Sequence, residues 1–326
     1  MKRLIGLNVL AALAASFAVV AAADAGQRLS GAGATFPSKI YTRWFADFSK
    51  EKEGHRVNYQ AIGSGSGRKA FLDETVDFGA SDDPMKQVDI DKAKRGLVQI
   101  PLTGGTIAFG YNMPGCDLKL TQEQAVQIAI GEINNWSQVG CADQRMLWVF
   151  RSDGSGTTAA FTSSMQAFSE KWKIGAGKSV SWIVGVGSKG NAGVAGSIRN
   201  QVGAIGYVNQ SYIKGEVQAA TLQNKNGEFV KPTLESGVIA LNGIQLDENL
   251  AGTDPNPEAE GAYPIATLTW ILAYENGNGK KTDAIKDTFR KLLSDEYQAK
   301  ATRLGYVPLK GDILEKSREA VERIGE

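Results

Sequence analysis

Histidine and cysteine are nearly absent from this chain, which has one histidine and two cysteines in 326 residues. A zinc centre needs several such ligands, and a serine triad needs an imidazole base, so either would depend on His55. No Cys-x-x-Cys spacing occurs, and neither Ser64 nor Ser155 sits in a Gly-x-Ser-x-Gly elbow. Gly177-Lys178-Ser179 has Trp172 where a P-loop needs its first glycine. No cofactor and no metal are therefore expected. Charge of one sign is also lacking. Lys plus Arg number 36 and Asp plus Glu 35, so no basic field points to nucleic acid. Any anion must be held by a local site.

The long apolar run is at the start. Lys2 and Arg3 precede apolar residues 4–20, and Ala21-Ala22-Ala23-Asp24-Ala25 follows. This is the pattern of a secretory signal peptide over residues 1–25, with cleavage near Ala25 or Ala23, in preference to a membrane anchor. Cys116 and Cys141 both lie in the exported part, where one disulfide is expected. It would close a loop of about 25 residues and contribute ~3 kcal/mol.

What is present is a soluble composition, 42% apolar and 22% charged, in a chain long enough for two domains. Apolar residues Ile40, Trp44, Phe45 and Phe48 recur at helical spacing behind Thr35-Phe36-Pro37, where Thr35 is placed to cap the helix. Strands are expected at 56–62, 78–81, 98–101, 106–111, 147–151, 204–208 and 268–274. Helices are expected at 68–73, 125–130, 157–168, 190–200, 282–293, 295–304 and 312–324. Thr121-x-x-Gln124 reads as a capping box, and 225–261 as irregular. The six tryptophans are assigned to packing, and His55 to an exposed turn. Strand and helix alternate, so the fold class is α/β, with ligand sites at the carboxyl ends of strands.

Arg151-Ser152-Asp153-Gly154-Ser155-Gly156-Thr157 is the most telling stretch. A guanidinium, two hydroxyls and flexible backbone lie where a strand ends and a helix begins. Helix starts carry unpaired N–H groups and a partial positive charge, which suit a tetrahedral oxyanion. Similar junctions occur around Thr35 and Ser64. One junction alone is compatible with an ordinary capped helix; three together favour a shared oxyanion site.

Taken in order, Gly31-Ala32-Gly33-Ala34-Thr35-Phe36-Pro37, the run from Val57 to Gly67, Val76-Asp77-Phe78-Gly79-Ala80-Ser81-Asp82, Arg151 to Thr157 and Gly203-Ala204-Ile205-Gly206-Tyr207-Val208 resemble periplasmic phosphate-binding proteins. These belong to the type II periplasmic binding proteins and serve phosphate ABC transporters. The resemblance implies a two-lobed Venus-flytrap fold with a hinge: residues 26–104 and 264–326 in lobe one, 105–263 in lobe two. It implies phosphate ligands Thr35, Phe36, Ser64 and Asp82 from the first lobe, and Arg151, Ser155, Gly156 and Thr157 from the second. Phe36 and Gly156 would act through backbone N–H groups, and Asp153 would hold Arg151. Asp82, as an ionised carboxylate, would accept the ligand's proton and so reject sulfate; Asp83 is expected to face solvent. The implied protein is a periplasmic monomer, not an enzyme, whose partners are inorganic phosphate and a membrane permease. A secreted phosphatase or hydrolase, or an extracytoplasmic phosphate sensor, are the alternatives.

Overall fold

A computed structural model describes residues 27–326; the expected signal peptide at 1–25 lies outside the described residues. The first half of the chain runs β1 (Arg28–Gly33), α1 (Ser38–Glu51), β2 (Arg56–Ala61), α2 (Ser64–Leu72), β3 (Phe78–Ser81), α3 (Gln87–Ile90), β4 (Val98–Tyr111), β5 (Lys119–Leu120), α4 (Gln122–Ala129) and β6 (Leu147–Arg151). It continues through α5 (Gly156–Phe168), β7 (Val186–Ser188), α6 (Gly190–Asn200), β8 (Ala204–Asn209), β9 (Gln218–Ala219), β10 (Thr221–Gln223), β11 (Phe229–Val230) and α7 (Leu234–Asn242). The last part is β12 (Ala266–Ala273), α8 (Thr282–Leu292), α9 (Asp295–Ala301) and α10 (Gly311–Glu322).

The strands follow the order β2-β1-β3-β12-β4-β8-β6-β7. β4 changes partner along its length. Residues 98–106 lie antiparallel to β12, and Ile107 to Tyr111 lie antiparallel to β8. The sheet therefore has two parts, β2-β1-β3-β12 and β8-β6-β7, joined by one continuous strand, and helices pack on both. This is the two-lobed α/β fold. β1 pairs in parallel with β2 and β3, and β6 in parallel with β7 and β8. Each parallel set sends its carboxyl ends, and the helix starts that follow them, toward the other. All 14 residues of β4 are buried, which accounts for its unbroken apolar and small composition.

The apolar periodicity is realised in the core. Ile40, Tyr41, Trp44, Phe45 and Phe48 form the buried face of α1. Trp44, Trp136, Trp148, Trp172 and Trp270 are buried, and Trp182 stacks on Phe150 at a ring distance of 5.2 Å. Thr121 and Gln124 make the expected capping box of α4.

Four expectations are corrected. Strands 98–101 and 106–111 are one strand, because Gly104 and Gly105 sit in extended backbone against β12 instead of turning. α2 starts at Ser64, not at residue 68, since Gly63, with φ +96°, makes the turn that lets Ser64 open the helix. The segment 225–261 includes α7, capped by Thr233. His55 is buried rather than exposed, edge-on to Phe48 with ring centroids 5.9 Å apart.

Cys116 and Cys141 are joined, with Cα atoms 5.5 Å apart and a sequence separation of 25. Reduction of this bridge is expected to lower stability by about 3 kcal/mol, through the greater freedom of the unfolded chain. Urea unfolding with and without reductant measures that difference.

Candidate anion-binding site

Four strand-to-helix junctions meet where the two lobes face each other. The β1–α1 turn supplies Thr35 and Phe36, Gly63 delivers Ser64 at the start of α2, and β3 ends at Ser81 just before Asp82. From the other lobe, β6 ends at Arg151 and α5 begins at Gly156, with Ser155 as its cap. Thr35, Phe36, Ser64, Asp82, Arg151, Ser155 and Thr157 are all at least nine-tenths buried.

The fork of Arg151 is fixed by Asp153. Nε donates to Oδ1 at 2.7 Å and Nη2 to Oδ2 at 2.5 Å. The Gly190 N–H, at the start of α6, donates to the same Oδ1 at 2.9 Å. Burial pushes the Asp153 carboxyl up, but the Arg151 guanidinium and the amide together hold it below the usual carboxylate range. Nη1 of Arg151 is left to face Thr157, whose Oγ1 lies at 3.3 Å. A two-point pair of this kind sets the plane of the guanidinium as well as its position.

Asp82 stands opposite. Thr269 of β12 donates to its Oδ1 at 2.9 Å, and Thr157 donates to its Oδ2 at 3.2 Å. Its backbone is equally tied, with N–H donating to Ser64 Oγ at 3.2 Å and the carbonyl accepting from Thr267 at 3.1 Å. Burial pushes the carboxyl up to about 7, against the opposing pull of Thr269, Arg151 and Thr157. The charge that resemblance alone would place on Asp82 is therefore balanced near neutrality.

The hydroxyls share a common arrangement. Ser64 Oγ accepts from Asp82 N–H, Ser155 Oγ from Thr158 N–H at 3.0 Å, and Thr35 Oγ1 from Asn191 N–H at 3.1 Å. Each thereby has its own O–H left to donate. Gly156 has no room for a side chain: a Cβ there would stand 2.6 Å from Ser64 Oγ and 2.7 Å from Asp82 N. Thr35 does not cap α1, whose first residues have no side-chain cap, because its hydroxyl faces Asn191. Phe36 contributes a fully buried ring, and its carbonyl accepts from Tyr306 at 2.7 Å.

Two residues of this network were not legible as site residues. Asn191 donates through Nδ2 to both Thr35 and Thr157, each at 3.1 Å, and accepts from Asn209 N–H at 2.8 Å. The signal available was the passage from β7 into α6 at Ser188 to Asn191, a further strand-to-helix junction of the same kind. Thr269 lies mid-strand, where nothing local distinguishes it from a packing residue. Asp83, expected in solvent, is instead half-buried between Arg68 and Lys178.

Two α/β lobes that close hydroxyls, amides and one guanidinium around a shared buried cleft define a two-lobed solute-binding protein. A sequence profile described as "PBP superfamily domain" matches residues 19–295. The chain is 37% identical over 324 residues to the phosphate-binding protein PstS of Pasteurella multocida, covering 93% of this chain and 92% of that one. It is 36% identical to the PstS of Haemophilus influenzae, covering 88% and 90%. It also shares its fold with a solved high-affinity periplasmic phosphate-binding protein. That match has a TM-score of 0.77 and 21% identity, over 90% of this chain and 93% of the other. The chain belongs to the PstS phosphate-binding protein family, within the PBP superfamily.

The position of the Asp82 carboxyl has a consequence for stability. Between the ordinary value of 3.8 and about 7 the folded protein holds this proton and the unfolded chain releases it. Stability from this group is therefore full at low pH and is lost as pH rises toward 7. The melting temperature of ligand-free wild type, relative to that of Asp82→Asn, is expected to fall between about pH 4 and pH 7. Calorimetric melts of both proteins across that range test it; a constant difference contradicts the assignment.

Proposed function

We propose that this protein binds inorganic phosphate between its lobes and delivers it to a membrane permease, as an exported, periplasmic, monomeric solute-binding protein. The observation that carries the reading is one acceptor among many donors. The O–H groups of Thr35, Ser64 and Ser155, the Arg151 guanidinium, the Phe36 amide and the helix-start amide of Gly156 suit the oxygens of a tetrahedral anion. Thr157 joins them once its hydroxyl turns from Asp82. Asp82 alone calls for a proton in return.

A singly protonated phosphate satisfies that demand. Whether the shared proton sits on the phosphate oxygen or on Asp82 Oδ2, the pair holds one proton and makes one strong hydrogen bond. Sulfate brings no proton, so against ionised Asp82 it sets acceptor against acceptor in a buried site. Because Asp82 titrates near 7, sulfate exclusion in this reading is a property of the ionised form. Asp153 keeps Arg151 aimed, and Asn191 and Thr269 keep Thr35, Thr157 and Asp82 in place.

Binding is coupled to closure. The chain crosses between lobes along β4 near residues 102–105 and returns near 263–265, which sets the boundaries at 26–104, 105–263 and 264–326. Ligand contacts from both lobes favour the closed form over any open one. No bond is made or broken. A hydrolase reading lacks its base: His55 precedes β2, at the opposite end of that strand from Ser64.

Arg151→Ala is expected to weaken phosphate binding by about 2–5 kcal/mol, since it also leaves the buried Asp153 carboxylate without its counter-charge. Titration calorimetry on ligand-stripped protein measures this, and near-native affinity would contradict it. Sulfate competition against labelled phosphate is the sharper test. Sulfate affinity should rise about tenfold per pH unit as pH falls toward 7, tracking protonated Asp82, and level off below. Asp82→Asn should admit sulfate at every pH and abolish that slope. A wild-type sulfate affinity independent of pH would remove Asp82 from selectivity.

A further inference from the structure

Outside the donor set, one contact joins the lobes through opposite full charges. Lys178 Nζ lies 3.1 Å from Asp83 Oδ2. Among the described residues this is the one ion pair that spans the cleft; Lys39 also reaches across, but to a neutral carbonyl, that of Ser211 at 2.6 Å, and to the ring of Tyr212. Each end is fastened to the candidate site. Asp83 follows Asp82 in the chain, and the Lys178 carbonyl accepts the Ser155 N–H at 2.9 Å.

Asp83 is held from its own lobe first. Arg68 Nη2 lies 2.7 Å from Asp83 Oδ2 and donates at 2.8 Å to the Pro84 carbonyl, while Nε faces Ser81 Oγ at 3.3 Å. Asp89 lies 3.7 Å from Arg68 Nη1. All of these partners belong to the segment from α2 to α3, so the carboxylate keeps its place whether or not the lobes are together. Only the bond to Lys178 depends on closure. The side chains are 24% exposed for Asp83, 30% for Lys178 and 8% for Arg68. The pair is thus drier than a surface bridge, yet still within reach of salt.

Resting on the phosphate-binding reading, we propose that Lys178 is a positioning residue that fastens the closed form through Asp83 and thereby slows release of bound phosphate. It touches no ligand. An interaction made only in the closed state adds to affinity by lengthening the bound lifetime, because leaving requires it to break and arriving does not require it to form. Asp83, with Asp82, also lines a groove of about 290 Å³ that Ser163, Ser164 and Thr267 share from both lobes.

The experiment is stopped-flow association and dissociation of inorganic phosphate with the whole mature protein. It compares wild type, Lys178→Gln, Asp83→Asn, the double variant and Lys178→Arg. Lys178→Gln should release phosphate about three- to fivefold faster with an unchanged association rate, and about 0.5 M salt should shrink that gap. Lys178→Arg should keep slow release. In the Asp83→Asn background the Lys178→Gln effect should vanish. Equal release rates in wild type and Lys178→Gln would overturn the proposal. So would an undiminished Lys178→Gln effect without Asp83, because Lys178 would then act on the anion directly. If unaltered protein gave no heat on titration with phosphate, the binding reading itself would fall, and this proposal with it.

Discussion

The two-point pair between Arg151 and Asp153 is the interaction on which the rest of the cleft depends. A guanidinium more than nine-tenths buried is tolerable only when its charge is matched and its N–H groups are placed. Asp153 does both, and in doing so it draws in the Gly190 amide and with it the start of α6. Asn191, the next residue, then bridges Thr35 of one lobe to Thr157 of the other. A single ion pair inside one loop therefore orders a network that crosses the whole site.

The site is not a pool of positive charge. Arg151 is neutralised by Asp153, and Asp82 hovers between its two forms. In the proposed reading the attraction for an anion comes instead from oriented dipoles: the N-terminus of α5, and hydroxyls whose lone pairs are already occupied by backbone amides. This agrees with a chain whose basic and acidic residues number 36 and 35. Specific hydrogen bonds discriminate between anions of similar size and charge, which a basic patch does not.

Much of this was legible in the sequence, for a physical reason. Helix periodicity in α1, the capping box at Thr121 and the Arg151–Thr157 stretch are local patterns, and local patterns dictate local structure. Parallel strands feeding helices then force the junctions to one edge, so residues far apart in sequence converge. What escaped were features set by non-local partners. β4 reads as two strands, yet β12 pairs with it from Val98 through Gly104 and Gly105 to Thr106, and β8 takes over from Ile107, so the backbone stays extended throughout. Thr269 acquires its role only from the chain that packs across it. His55 and Asp83 look like surface residues until Phe48, Arg68 and Lys178 come up against them.

The place of β12 in the sheet bears on how such a chain is made. It lies between β3 and β4, yet it is among the last strands to be synthesised, more than 150 residues behind both. Until residue 273 has emerged, β1, β2 and β3 have no central neighbour to close against. The middle of the chain can meanwhile assemble β6, β7 and β8 from its own sequence. Late arrival of a central strand delays collapse of the N-terminal part. For a chain exported as proposed, a topology that leaves its first strands without their central neighbour until late favours delivery in an unfolded form.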